Sequence, residues 1–392
     1  MSILVQKYGG TSLSSPERRA QVIGHIRRAR EAGYQVAIVV SAMGRRGEPY
    51  ATDTLLDLLR SDRGPVHPRD YDMVFGCGEL ISSAMMAHLL KREGIAAIGL
   101  SGAQAGIYTT ARHGEAEIVE IDTARLHAHL SRGEVPVIAG CQGVDPATGD
   151  MTTLGRGGSD TSGVALGVAL HAERVEIFTD VEGVARANPR AVPVARFLRQ
   201  ISHAKMLELA RFGAGVVHPR AVRAGLDGHV PVVVRSTFST GPGTLIGDVA
   251  DEYPVLGIAS LGPFRTVALD GARVGPNLRL EWEQARLVMS LVDAAGAALI
   301  LGAATGREEE LRTLQAQVGV RSDEVEGEQT WVSMVGDSDA IGAALGPALR
   351  LLQDKGIGVL YHELAPLRVT FVVAAHDERH AVQALYQEFM GG

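Results

Sequence analysis

Lysine is almost missing from this 392-residue sequence: Lys7, Lys91, Lys205 and Lys355 are its four, and every other basic residue is arginine. Each lysine can therefore be weighed individually. Cysteine is scarcer still. Cys77 and Cys141 cannot build a disulfide framework, which fits a reducing cytoplasm. Neither has a C-x-x-C partner, and both read as small buried residues rather than nucleophiles. There is no excess of positive charge; a formal net charge of −7 argues against a general nucleic-acid binder. The start, MSILVQKYGG, lacks a basic segment leading into an apolar one, so no secretory leader is expected. The longest uncharged run of small apolar residues, Ala294 to Gly306, is too short to span a bilayer.

Several chemical signatures are also absent. No G-x-x-x-x-G-K-[ST] occurs, which excludes a Walker-type NTPase. No H-R-D or D-F-G occurs, which excludes a protein kinase. No G-x-G-x-x-G follows the first strand, which argues against dinucleotide binding. His376 and His380 have the spacing of a zinc helix, but the residue after His376 is Asp377 rather than glutamate, so the stretch reads as a solvated helix start.

What is present is a globular composition, 46% hydrophobic and 21% charged, with length for two to three domains. Glycine is in excess at 47 residues, which implies many turns that bring backbone close to something. Up to about residue 247, apolar strands alternate with helices. Strands are expected at Ile3–Gln6, Val36–Val40, Ala96–Leu100, Pro136–Ala139, Val175–Phe178 and Val230–Val234. Helices are expected from Ser15–Pro16 to Gly33, then at Glu79–Lys91, Asp122 to Gly133, Ser159–His171 and Ser202–Phe212. Strands that are apolar throughout and separated by helices imply a mostly parallel sheet covered on both faces. The Gly/Pro-containing stretch Ser239–Asp251 reads as a domain boundary. Beyond it come two small α+β units. The second has strands Trp331–Val335, Val359–Tyr361 and Arg368–Ala374 and helices Ile341–Gln353 and Glu378–Phe389. The first has strands Arg265–Leu269 and Ala298–Leu301 and helices Leu280–Ala295 and Glu308–Gln317.

Ligands of open α/β sheets collect beyond the carboxyl ends of the strands, so those ends are where chemistry is sought. The first strand runs into Lys7-Tyr8-Gly9-Gly10-Thr11-Ser12. Two glycines let backbone approach an anion and Lys7 adds a charge, although the same letters would serve a plain tight turn. The second strand ends at Ser41-Ala42-Met43-Gly44, and a loop leads on to Thr52-Asp53. Gly76-Cys77-Gly78-Glu79 reads as a helix opening, where a carboxylate is favoured as a cap whether or not it binds a ligand. Thr153 to Ser162 sets Arg156 among glycines and begins a helix with Ser159-Asp160. An arginine fork there can grip a carboxylate or phosphate, although a simple capping loop would look similar. Thr179-Asp180 closes a further strand.

Taken together, VQKYGGTS at 5–12, VVSAMGRRGEPYATDTLL at 39–56, GCGELISS at 76–83, TLGRGGSDTS at 153–162, IFTDVEGV at 177–184, the segment 201–222 and VRSTFSTGPGTLI at 234–246 resemble the aspartokinases of the amino-acid kinase superfamily. The 39–56 segment looks most like the diaminopimelate-sensitive type of Bacillus-like bacteria. The resemblance implies a three-layer αβα sandwich with a mostly parallel sheet over residues 1–247. It further implies a regulatory region over 252–392 built of tandem ACT-like units, about 255–325 and 328–392, with the strand near Leu256–Leu261 pairing into the second. By the matching motifs, Lys7 and Asp160 would be catalytic. Lys7, Gly9, Gly10, Ser41, Thr179, Asp180 and Arg190 would take ATP, and Thr52, Glu79, Arg156 and Ser159 would take aspartate. ATP and Mg2+ would be needed, with no protein metal ligand directly assigned.

The implied reaction is phosphorylation of the β-carboxylate of L-aspartate to 4-phospho-L-aspartate, the first step of the aspartate-family pathway. That carboxylate is ionised at neutral pH, so no general base is required. The difficulty is attack of one anion on another, to be met by charge neutralisation and positioning. The resemblance also implies a cytoplasmic homodimer or higher oligomer, inhibited by meso-diaminopimelate, lysine or threonine. Asn188 and Gly215 depart from an expected aspartate and lysine on the nucleotide side, and Arg186 is a candidate to replace the missing positive charge. These departures sustain the alternative of a catalytically weakened, amino-acid-sensing paralogue.

Overall fold

The computed structural model describes residues 1–61, 64–270, 291–292, 298–304, 323–324 and 327–391. The chain forms two compact units. One comprises Met1–Val184, Phe197–Leu207 and Gly215–Ala250; the other comprises Ala185–Arg196, Glu208–Ala214 and Asp251–Gly392. The boundary at residues 250–251 falls in the expected linker, but 185–196 and 208–214 belong with the second unit rather than the first.

The first unit has strands β1 (Ile3–Tyr8), β2 (Gln35–Val40), β3 (Ala97–Leu100), β4 (Ile107–Thr109), β5 (Ile118–Ile121), β6 (Val135–Ala139), β7 (Gln142–Val144), β8 (Met151–Thr153), β9 (Arg174–Thr179), β10 (Gln200–Ser202), β11 (Val232–Ser236) and β12 (Thr244–Gly247). Eight of them form one sheet in the order β10-β12-β11-β9-β1-β2-β6-β3. Every pairing in it is parallel except β11 with β12. The sheet of β5-β4-β7-β8 was not foreseen, because strands of three or four residues leave too little alternation to read.

The helices are α1 (Gly10–Leu13), α2 (Pro16–Glu31), α3 (Thr52–Arg60), α4 (Pro68–Arg92), α5 (Ala124–Ser131), α6 (Gly158–Ala169), α7 (His203–Arg211) and α8 (Pro219–Asp227). Their starts follow local chemistry. The Ser15 hydroxyl accepts from the Arg18 amide at 3.3 Å with Pro16 in the first turn, and Gly33 closes the far end at φ +91°.

Period-two alternation sends neighbours on β1 to opposite faces. Leu4 and Tyr8 join a core with Val22 and Ile26 of α2, Val36, Ile38 and Val40 of β2, and Met86 and Leu90 of α4. Lys7 lies on the other face, against α6. There Gly163 admits a close approach, since a Cβ at that position would lie 3.1 Å from the Lys7 Cβ. This is the αβα sandwich the alternation implied.

Helix α4 corrects one expectation. It begins at Pro68, so Glu79 sits three turns inside it rather than at its start. The glycines that suggested an opening are packing positions. A Cβ on Gly76 would come 2.7 Å from Met151 Sδ, and one on Gly78 would come 3.0 Å from the Tyr50 carbonyl. Cys77 is corrected too: the helix turns it outward, and it is exposed, whereas Cys141 is buried as expected. By length and composition α4 could cross a membrane, but it carries the buried carboxylates Asp72 and Glu79 and packs into the first unit's core.

In the second unit, β13 (Val255–Asp270), β14 (Leu291–Val292), β15 (Ala298–Ala304), β16 (Asp323–Glu324), β17 (Gln329–Gly336), β18 (Val359–Ala365) and β19 (Arg368–Ala374) form an antiparallel sheet in the order β14-β15-β13-β17-β19-β18, with β16 on β13. Residues 255–261 of β13 pair with β17, as the resemblance implied. Leu291–Val292 is a strand where a helix over Leu280–Ala295 was expected. The rest of that helix, and the one at Glu308–Gln317, lie outside the described residues.

Helices α9 (Ser338–Asp354) and α10 (Glu378–Met390) cover the sheet through Ile341, Leu352, Val382 and Leu385 against Met334, Phe371 and Val373. Ala187 and Val192 are buried in the same cluster, which is why their segment belongs here. Arg368 is buried between Glu208 (3.1 Å) and Glu363 (2.6 Å), with its guanidinium 3.7 Å from the centre of the Phe212 ring. Removing only the cation would strand two carboxylates. Arg368→Met should therefore destabilise the chain by about 3 kcal/mol in denaturant unfolding, with Arg368→Lys recovering part of the loss. An unchanged midpoint would show that the cluster adds no net stability.

Candidate active site

The site forms where the carboxyl ends of β9, β1 and β2 lie side by side. Lys7 is in register with Val39 of β2 and Ile177 of β9, so its side chain leaves the middle of the sheet. Its Nζ lies 2.6 Å from Asp160 Oδ1, in the first turn of α6, and both side chains are largely buried. The pair fixes the lysine on the α6 face just below the Gly9-Gly10 turn.

That turn is held from both sides. The Gly9 amide donates to the Phe178 carbonyl of β9 at 3.3 Å, and the Gly44 amide donates to the Gly10 carbonyl at 3.0 Å. A side chain at residue 10 would collide with the Ala42 carbonyl, so glycine is required there by close approach. Ser12 and Thr237, both buried, share a hydroxyl hydrogen bond of 2.7 Å that ties the following helix to the end of β11. Ser41 follows β2, its amide bonded to the Tyr8 carbonyl at 3.1 Å.

Glu79 is almost fully buried. Its Oε1 accepts from the Ala42 amide at 3.2 Å, while Oε2 is buried with no partner. Burial pushes its pKa up to about 7, against the pull of the amide bond and of Lys7. A buried carboxylate with one idle oxygen is arranged to receive a hydrogen-bond donor, best of all a cationic one.

Arg156 stands at the rim, 84% exposed, with its guanidinium 3.6 Å from Asp53 beside Thr52 at the start of α3. Its loop is rigid at the base. Asp72 accepts from the Thr153 amide (3.0 Å), the Gly114 amide (3.0 Å) and the His113 ring (2.9 Å). Arg220 donates to the Leu154 carbonyl at 2.8 Å and the Ala116 carbonyl at 2.7 Å. Ser159 is buried at the start of α6, its Cβ against Gly140. The expected residues Lys7, Gly9, Gly10, Ser41, Asp160, Thr179 and Asp180 thus converge on three strand ends. Glu79 joins them through Ala42, and Thr52 and Arg156 meet through Asp53.

Two residues expected on the nucleotide side fall in the second unit. Arg190 falls in the second unit, its amide on Asn188 Oδ1 (3.0 Å) and its carbonyl on Arg379 (3.2 Å). Arg186 cannot replace a missing charge. Its guanidinium is buried on the carbonyls of Leu256 (3.0 Å) and Val255 (2.8 Å), above the Tyr253 ring. Arg45, Asp72 and Arg220 also belong to this region without a signal of their own in the sequence, since Asp72 and Arg220 act through backbone amides and carbonyls, which leave no sequence pattern.

The idle carboxylate sets a pH dependence. Glu79 holds its proton to higher pH in the folded chain than in the unfolded one. Its ionisation therefore costs stability as pH rises from the ordinary carboxylate range to about 7, by roughly 3 kcal/mol for such a shift. Glu79→Gln removes this term. The stability of Glu79→Gln relative to wild type should rise by about that amount between about pH 4.5 and pH 8. Parallel pH profiles of the two proteins would refute the assignment.

Residues 2–236 match the amino acid kinase family. The chain is 48% identical over 246 residues to aspartokinase 1 of Bacillus subtilis (strain 168), a match covering 63% of this chain and 61% of that protein, so it spans less than two thirds of that relative. It is 34% identical over 419 residues to aspartokinase of Corynebacterium glutamicum, covering 100% of this chain and 97% of that one. Among solved structures, E. coli aspartokinase III in complex with aspartate and ADP (R-state) superimposes with a TM-score of 0.82 at 22% identity, covering 100% of each chain. The same enzyme in complex with lysine and aspartate (T-state) gives 0.71 at 22% identity, covering 99% of each chain. The fold, the strand-end site and the full-length similarity agree: this chain belongs to the aspartokinases of the amino acid kinase family.

Proposed function

We propose that the chain transfers the γ-phosphoryl group of ATP to the β-carboxylate of L-aspartate, yielding 4-phospho-L-aspartate and ADP as the first step of the aspartate-family pathway. The observation that carries this reading is the idle, buried Oε2 of Glu79, a carboxylate that feels the charge of Lys7. A ligand with an ammonium group satisfies that oxygen and favours its ionised state. Arg156, exposed across the rim, can take the α-carboxylate through its planar fork, with Thr52 and Ser159 beside it. The β-carboxylate then points at the phosphate turn.

Because the nucleophile is already an anion, the chain's task is electrostatic. Lys7 neutralises the phosphoryl oxygens in flight, Asp160 holds its ammonium in place, and the Gly9-Gly10 turn, bare of side chains, lets the phosphate oxygens come close. Ser41, Thr179 and Asp180 border the nucleotide, and Arg190 is assigned there by motif alone. Magnesium would enter with the nucleotide it chelates. We assign the second unit the amino-acid-sensing role of ACT-like domains, within a cytoplasmic homodimer or higher oligomer. The motif resemblance favours meso-diaminopimelate as effector over lysine or threonine.

Aspartate-dependent release of ADP from ATP tests the reading directly. No turnover with aspartate, together with retained amino-acid binding, would instead favour a weakened sensing paralogue. Lys7→Ala should lower kcat by a hundredfold or more, roughly 3 kcal/mol, with a much smaller effect on aspartate affinity. Turnover within a few-fold of wild type would move the phosphate site elsewhere. Arg156→Lys keeps the charge but loses the fork, so the aspartate KM should rise at least tenfold while the ATP KM stays within twofold. Equal effects on both would assign Arg156 to the nucleotide.

A further inference from the structure

Arg45 is the first side chain beyond the point where the loop after β2 touches the phosphate turn, for it follows directly on Gly44. Its guanidinium lies 2.8 Å from Asp180, which directly follows β9. In the sheet β1 lies between β9 and β2. A side-chain bridge from the end of β2 to the end of β9 therefore passes over the end of β1, which is the Gly9-Gly10 turn. The bridge is open to solvent, with Arg45 71% and Asp180 40% exposed, and a pair so exposed contributes little to folding.

The loop that carries it is ordered by its own bonds. Arg46 forks onto Asp57 at 2.7 and 3.2 Å, the Gly47 amide donates to Thr54 at 2.9 Å, and the Glu48 amide donates to the Arg45 carbonyl at 2.9 Å. The backbone of residue 45 is thus placed while its guanidinium is only lightly held.

Charge gives this placement a use. Lys7 is already balanced by Asp160. Arg186 is buried against carbonyls of its own unit, and residue 215 is a glycine with open space where a Cβ would stand. A polyphosphate entering the turn would meet Asp180 as a like charge unless a cation stood between them. We propose that Arg45 is that cation: a phosphate-contacting residue that rests on Asp180 and transfers its guanidinium to the nucleotide's phosphate oxygens when they occupy the turn. This rests on reading the Gly9-Gly10 turn as the phosphate site. No bond is made or broken beyond hydrogen bonds and ion pairing.

Calorimetric titration of the full chain with MgADP, without aspartate, tests the assignment at two salt concentrations. Arg45→Gln should weaken MgADP at least fivefold and flatten the salt dependence of its binding. Arg45→Lys, which keeps the charge, should recover most of the loss. Arg27→Gln, an exposed arginine of the same unit that pairs with Glu93 at 3.0 Å, should stay within twofold of wild type. In steady state the ATP KM should rise for Arg45→Gln while the aspartate KM stays within twofold. Arg45→Gln binding MgADP within twofold of wild type, with the same salt dependence, would overturn the proposal. A wild-type chain inert toward aspartate, with the Arg45→Gln loss of MgADP intact, would fault the acceptor reading and support the role of Arg45.

Discussion

In the proposed carboxyl phosphorylation two anions must be brought together, and the Lys7–Asp160 pair is the contact that would allow it. A lysine free in solvent would be mobile and heavily hydrated. Holding it 2.6 Å from a carboxylate in the first turn of a helix keeps it aimed. Much of the first unit serves that placement. The register of β1 between β2 and β9 brings Lys7 out at the middle of the sheet. The glycine at 163 lets α6 lie against it, and Gly10 lets the Ala42–Gly44 backbone close over the next turn.

The acceptor side is built on a different principle, burial without compensation. Glu79 is enclosed by α4 and receives a single amide bond. Leaving one oxygen unsatisfied in a core is expensive, and the rest of α4 is arranged to withstand it. Asp72, two turns earlier on the same helix, is equally buried but fully bonded, and those bonds fix Thr153 and Gly114. Gln142 donates to the Gly76 carbonyl at 3.0 Å, fastening the helix between the two carboxylates. One helix thus carries a satisfied carboxylate that anchors the strand leading into the Arg156 loop and an unsatisfied one with an oxygen to spare.

The parallel sheet and its helices were legible because continuous apolar runs and helix-period patterns survive in single-sequence form. All six strands expected in the first unit were found, with ends shifted by no more than two residues. The residues that gather at the strand ends were legible because short, glycine-framed motifs there carry side-chain chemistry. What failed had no such trace. Glu79 was placed at a helix start because glycines usually punctuate, whereas here they make room for Met151 and Tyr50 across the helix face. Residues 185–196 were assigned to the first unit by sequence order. Their place is decided by Ala187 and Val192 entering the second unit's core, a long-range contact that no local pattern records.

That displacement also changes how the departures at Asn188 and Gly215 should be weighed. Asn188 still makes the turn an aspartate would make: its Oδ1 accepts from the Arg190 amide at 3.0 Å, and its carbonyl accepts from Ala191 and Val192 at 2.9 Å. The substitution therefore costs a negative charge and no local structure. Gly215 removes a positive charge at an exposed position with room for a side chain. One charge of each sign is gone, so the two departures together leave the net charge unchanged. On the proposed reading, what Gly215 withholds is a local contact rather than overall positive charge, and the lightly held guanidinium of Arg45 can supply one.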